Sequence, residues 1–451
     1  MRQLIGAVWA GSISAAICYA EYLGLGAMLG TTLLGYGDQS QAMGTLLVVL
    51  AASISCLVLA IRRLPVIAGP RGASLSVLVL GLMTLQTQFQ VSRTDQLLLL
   101  ATMMVGCTIM LLMSTLRWVD WIFDRLPQWL VPAFIYASAV SIVASASRKY
   151  LHSCLIVNEW QAWSIFLGST LAGLFWISIC RKIAQKTPNP KLSRLTGSLA
   201  GTGLVVGAAT CWIFYELSSL PNASAGMCAR MGLLDLSLHS FLERILLLAQ
   251  NGLQLQAAAP SLVLAAAWGM FVGLVVMLES RTAVASMADY LQKTTPAFVS
   301  QKLGQPLMLW NARLHAVLTS STTVASSLSQ SRSIIIWSLY RPSTLAIVFH
   351  IVALLLIALF ASKWLAQLPQ IALVVLMTLV GCSMLVPALE KTWREAYSLH
   401  HPGIGGGLGL WVVLSITAIT QQPLAGFVLP AIFSVVTYAR AKIAPKDEKT
   451  S

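Results

Sequence analysis

Acidic side chains are scarce in this chain. Its 451 residues hold 15 Asp and Glu against 29 Lys and Arg, and charged residues of both signs reach only 10%, against 57% hydrophobic. A soluble globule carries about 25% charged residues, so this composition excludes one and indicates an integral membrane protein. Alternating β patterns of ~10 residues are absent, whereas apolar runs near the ~20 residues a helix needs to cross a bilayer recur throughout; the spans are therefore helices. No HExxH, GxSxG or Walker pattern occurs, which argues against intramembrane hydrolysis or an ATP motor, and the chain reads as a non-enzyme. The stretch Gly403 to Leu408 fails GxGxxG at its last position and reads as close packing. No metal spacing links the eight cysteines, and His400-His401 lack ligand spacing, so no metal and no cofactor are expected. Cys154 and Cys228 fall in predicted outside loops, where they either pair or stay as thiols. No cleavable signal pattern follows Met1.

What the chain does have is a net charge of +14, placed unevenly. Arg62-Arg63, Arg181 to Arg194, Lys391 to Arg394 and Arg440 to Lys449 fall in alternate loops, while the intervening loops carry few cations, such as Arg93 and Lys363. This is the positive-inside bias. It places both termini in the cytoplasm and the chain in the plasma (inner) membrane, and it leaves no footprint for nucleic acid.

Spans are expected at about 4–24, 41–61, 96–116, 131–146, 162–180 and 198–217. The third segment differs. In Leu64–Met83, Pro65, Gly69, Pro70 and Gly72 forbid a regular helix until about Ala73, predicting extended backbone and then a half-length helix. An interfacial segment, Trp118–Trp129, precedes the fifth span. After a polar connector over 218–256, spans follow at about 260–283, 309–325, 343–361, 368–388, 404–420 and 423–439, with a broken tenth segment at about 326–340. This gives about fourteen segments in two sets of seven with interrupted third members, the pointer to an inverted-repeat transporter. The corresponding divisions are 1–217, 218–256, 257–440 and a short cytoplasmic tail, 441–451.

Ser320–Ser343 is rich in hydroxyls and has no carboxylate. Inside it, Arg332 would cost about 2.5–3.5 kcal/mol at the bilayer centre, so it needs a reason to be there. At a half-helix amino terminus it would join unpaired N–H groups in favouring an anion; otherwise it neutralises Glu279 or snorkels. Ser327 and Ser331, like Ser329 and Ser333, are four apart and would present hydroxyls on adjacent strips of one helix. In the third segment Arg71, Gly72, Ala73, Ser74 and Ser76 offer accessible backbone N–H groups and one cation. Glu279 is the acid expected at depth, either pairing with Arg281 or Arg332 or acting in proton coupling.

These residues resemble the SulP anion transporter family. The resemblance rests on Ser331-Arg332-Ser333, on Arg341 and Ser343, on Leu368-Pro369-Gln370-Ile371-Ala372-Leu373, on Ala68-Gly69-Pro70 with Gly72-Ala73, on Leu126-Pro127 leading to Phe134, and on Glu279-Ser280. It implies an all-α integral membrane fold of about fourteen segments in a UraA/SulP-like seven-plus-seven inverted repeat, with core and gate domains and half-helices 3 and 10. It also implies an anion held between the third and tenth segments by Ala73, Ser74, Ser331 and Arg332, with Tyr19 of span one alongside. Departures are Ser14-Ala15 where the family often has Pro-Gln, the added Arg71, and Ser and Thr in place of a Gly-rich lead into the tenth segment. A cytoplasmic STAS domain is not expected.

The resulting expectation is a secondary transporter of a small inorganic or carboxylate anion (sulphate, bicarbonate, chloride or dicarboxylate), with Glu279 coupling it to a proton. A sodium co-ion and a homodimer remain open. Its alternatives are a nucleobase proton symporter on the same fold, or a nontransporting scaffold or voltage-responsive protein.

Overall fold

A computed structural model describes residues 2–34, 38–89, 93–115, 152–188, 199–218, 259–294, 305–360 and 371–382, with a few isolated positions between them. The interfacial segment, nearly all of the fifth span, the connector, Cys228, His400-His401 and the last two apolar runs lie outside the described residues, as does the side chain of Cys154. Among the described residues, seven helices are long and apolar enough to cross a membrane, or eight if a pair bent by 111° counts as one span.

Helix α1 (Arg2–Leu34) runs 33 residues, ten beyond the expected end of span one. At 1.5 Å per residue it is about 50 Å long, more than the ~30 Å hydrocarbon core. It crosses α2 (Asp38–Ile61) where glycines remove the side chains between the backbones: a Cβ on Gly44 would stand 2.0 Å from the Gly26 carbonyl oxygen. Small residues at such crossings let membrane helices pack closely.

The end of α2 is a Schellman stop. Leu64 N–H donates to the Leu59 carbonyl and Arg63 N–H to that of Ala60, both at 2.9 Å, and Arg63 takes the left-handed conformation at φ 59°. Leu59 and Leu64 are both buried in one cluster, the apolar contact that usually accompanies this motif. Pro65 then prevents any helical restart.

Extended backbone follows as the sequence predicts. Strand β1 (Ala68–Gly69) leads into α3 (Gly72–Phe89), which begins within a residue of the expected start. With 18 residues, about 27 Å, α3 runs longer than a half-helix. Helix α4 (Arg93–Met113) returns, followed by α5 (His152–Lys186) and α6 (Gly203–Leu217), which pack on each other at Gly173 and Gly203.

In the second part of the chain, α7 (Ala259–Thr294) crosses α4 so tightly that a Cβ on Gly269 would lie 1.9 Å from the Met103 carbonyl oxygen. Helix α8 (Gln305–Thr322) leads to strand β2 (Ser327–Leu328) and then to α9 (Gln330–Leu339). With 10 residues, about 15 Å, α9 has the half-span length expected of the tenth segment. A 111° bend separates it from α10 (Thr344–Phe360), which packs on α1 at Gly11; a short buried helix, α11 (Ile371–Cys382), closes the described chain.

The two strands pair antiparallel, Ala68 with Leu328 and Gly69 with Ser327. Because they run in opposite directions, α3 and α9 leave the crossing on opposite sides, and both amino termini stay beside it. This junction joins the third and tenth segments.

Candidate functional site

Backbone groups at the crossing are satisfied by the opposite segment. Ser329 N–H donates to the Ile67 carbonyl at 2.9 Å, Ile67 N–H to Ser333 Oγ at 2.9 Å, and Ser333 Oγ in turn to the Ser329 carbonyl at 2.7 Å. Trp337 Nε1 donates to the Pro65 carbonyl at 2.7 Å, tying the far end of α9 to the extended stretch. Irregular backbone is tolerated at this depth only when it is served in this way.

Arg332 sits in the first turn of α9, 3% exposed. Its Nη2 lies 2.7 Å from Glu21 Oε1 and donates to the Pro70 carbonyl at 3.1 Å; Nε donates to Glu21 Oε2 at 3.2 Å, and Nη1 to Tyr22 Oη at 2.6 Å. The guanidinium carbon also stands 4.4 Å from the Tyr22 ring centre, within cation–π range. Only Gly69 admits this approach, since a Cβ there would meet Tyr22 Oη at 2.5 Å and Arg332 Nη1 at 3.1 Å. A buried charge must be paired and hydrogen-bonded, and this one is both.

The pairing corrects the sequence alternative in which Arg332 neutralises Glu279. Glu279, 4% exposed, instead accepts the Ser327 hydroxyl at 2.8 Å, and neighbouring Ser280 Oγ accepts Leu328 N–H at 3.4 Å. Both residues of α7 therefore hold β2. Glu21, the real partner of Arg332, was missed, although an acid inside an apolar span is open to the same argument that singles out Arg332. Glu21 is 21% exposed and Arg332 is buried behind it.

Other predicted residues fall as follows. Helix α9 begins at Gln330, so Ser327 is a strand residue, Ser329 is the N-cap, and the two i, i+4 strips do not form as drawn. Ser329 is extended and makes no side-chain cap, while its Oγ lies 3.4 Å from that of Ser331, which is exposed. Without that cap the first N–H groups of α9 keep their affinity for negative charge. Arg71 is half-buried at the start of α3 and its Nη1 donates to the Leu328 carbonyl at 3.4 Å, across the crossing. Gly72 and Ala73 are buried; Ser74 Oγ turns back to the Arg71 carbonyl at 3.3 Å, and Ser76 Oγ to that of Gly72. Tyr19 is 4% exposed on α1, and among the described residues its hydroxyl has no hydrogen-bond partner. A buried orphan hydroxyl of this kind calls for a ligand or a water.

No family model matches this sequence, and no curated protein matches it in sequence. Solved structures do match in shape. The transmembrane domain of a cyanobacterium bicarbonate transporter, BicA, superposes with a TM-score of 0.55 at 14% identity, covering 95% of this chain and 98% of that one. SLC26A9 superposes with a TM-score of 0.56 at 12% identity, covering 97% of this chain and 66% of that one. Over nearly its whole length, then, this chain has the all-helical membrane fold of SulP/SLC26 transmembrane domains, the fold that its sequence motifs resemble.

Proposed function

We propose that this chain is a secondary transporter of a small anion working by alternating access. The observation that supports the reading is a buried guanidinium at the meeting of two helix amino termini, neutralised by a carboxylate that is itself accessible. Glu21 occupies Arg332 through Nε and Nη2, the side-on geometry that planar oxyanions use. A bicarbonate or carboxylate anion that displaces Glu21 inherits those donors, while Tyr22 and Pro70 keep the guanidinium aimed. On this reading planar oxyanions are better substrates than chloride, sulphate is intermediate, and bicarbonate, the ion of the cyanobacterium transporter BicA, belongs to the favoured class.

Displacement exposes a second negative charge in the same place, so Glu21 must move away or take a proton. Protonation of Glu21 as the anion arrives makes the transporter a proton symporter, and it moves the coupling role expected of Glu279 to α1. Glu279, bonded to Ser327, then braces the strand that carries the site. The remaining parts of the reading are a core moving against a gate in two sets of seven segments, both termini in the cytoplasm, and a plasma-membrane location, which rest on the charge distribution and the fold.

The test is tracer uptake into proteoliposomes. Arg332→Gln, and Arg332→Gln combined with Glu21→Gln to remove the orphaned carboxylate, should both lose oxyanion uptake while the double variant keeps a cooperative unfolding transition. Wild-type uptake by a folded double variant would remove this site from the mechanism.

A further inference from the structure

Charged side chains are anchored to the crossing of β1 and β2 from both sides. Arg332 donates to the Pro70 carbonyl and pairs with Glu21. Arg71 reaches the other way, from the start of α3 to the Leu328 carbonyl, so each segment is held by an arginine of the other. Glu279 takes the hydroxyl of Ser327, the residue next to Leu328. Among the described residues Arg71 touches no carboxylate and Glu279 touches no cation, yet they act on adjacent residues of one short strand.

The charges of Arg71, Arg332, Glu21 and Glu279 sum to zero. Glu21 neutralises Arg332 in contact, and Arg71 offsets Glu279 through space. Arg281 follows Glu279 by two residues, which turns it about 200° round α7 and away from the set. The imidazole of His350 is fully buried with no carboxylate against it among the described residues, so it stays neutral. Net charge in a site of low dielectric is costly, and the neutral state is therefore the one to which the site returns when an anion binds.

We propose, resting on the transport reading above, that these four charges set the valence of the substrate at one, with Arg71 the residue that admits an anion despite two acids. A monoanion that arrives as Glu21 takes a proton from water leaves the crossing neutral, whereas a dianion leaves it with an unopposed negative charge. Shape ranks sulphate between the planar oxyanions and chloride; charge moves it below both. Neutralising Glu279 adds a positive charge to the sum and opens the site to dianions. Neutralising Arg71 does the reverse and disfavours every anion.

Tracer formate uptake into proteoliposomes of the full chain tests this at neutral pH. Methanesulphonate and sulphate serve as competitors of nearly the same shape that differ by one charge. Wild type should bind methanesulphonate on the order of tenfold more tightly than sulphate. Glu279→Gln, which keeps an acceptor for Ser327, should tighten sulphate about tenfold and remove the difference. Arg71→Gln keeps a donor for Leu328 but should weaken both competitors, and Arg71→Lys should recover most of that loss. Arg71→Gln with Glu279→Gln should restore the wild-type order; Glu279→Gln alone carries the test if the arginine variants do not fold. Equal competition by the two anions in wild type, or unimproved sulphate in Glu279→Gln, would overturn the proposal while formate transport stands. Absence of saturable formate uptake by wild type would sink the transport reading, and the valence rule with it.

Discussion

The Ile67 amide and the Ser333 hydroxyl are 2.9 Å apart and join two stretches separated by 266 residues. The same hydroxyl donates onward to the Ser329 carbonyl, so one oxygen closes the crossing from both sides. Ser333→Ala leaves a buried N–H unpaired and should destabilise the protein by about 1–3 kcal/mol. Thermal unfolding in lipid nanodiscs measures it; Ser333→Thr, which restores the hydroxyl, should recover most of the loss.

Glu21 and Glu279 give the sharpest functional contrast. Glu21→Gln should retain anion exchange but lose its acceleration by an inward proton gradient, because no carboxylate then opposes Arg332. Glu279→Gln keeps an acceptor for Ser327 and should retain the gradient response. Uptake driven by an imposed proton gradient measures both, and the reverse outcome would return coupling to α7.

Space at Gly69 makes a third prediction. Gly69→Ala places a methyl 2.5 Å from Tyr22 Oη and should cost about 1–3 kcal/mol while reducing uptake. Tyr22→Phe removes the clashing oxygen, so the pair together should lose less than the sum of the single changes, a coupling that a double-mutant cycle resolves.

Two glycines on α1 and α2 should behave oppositely. A Cβ on Gly44 would meet backbone at 2.0 Å, and backbone cannot step aside, so Gly44→Ala should prevent folding or open the α1–α2 crossing. A Cβ on Gly24 finds its nearest neighbour at 3.6 Å, so Gly24→Ala should leave the yield of monodisperse protein near wild type. Size-exclusion profiles of the two variants make the comparison.

At Arg63 the backbone already adopts a conformation that costs a non-glycine residue about 1 kcal/mol. Arg63→Gly should therefore raise the unfolding temperature slightly, and a decrease would show that the guanidinium contributes more than the helix stop.

The local course of the backbone was readable wherever proline and glycine set it. Pro65, Gly69 and Pro70 announce the break before α3, and the polar run before Gln330 announces the one before α9. The geometry within the break was less accessible. Reading Ser327 to Ser333 as helix gave two hydroxyl strips, whereas tertiary pairing with Ala68-Gly69 makes Ser327 a strand residue and turns it to Glu279. Arg332 announced itself through the cost of burying charge, but its partner lies 311 residues away on α1, and spacing along a chain carries no information over that distance. A charge-balance argument applied to every span would have found Glu21, since a carboxylate in hydrocarbon needs a cation as much as the reverse.

The antiparallel crossing also sets an order of assembly. Its first strand is synthesised long before its second, and at about 5–20 residues per second the wait is roughly 13 to 50 s. Through that interval Ile67 and Pro70 have no partner on α9, and Glu21 has no cation to meet. Insertion machinery or water must shield the extended stretch until the later strand arrives, which makes the nascent first half of this chain its most vulnerable form.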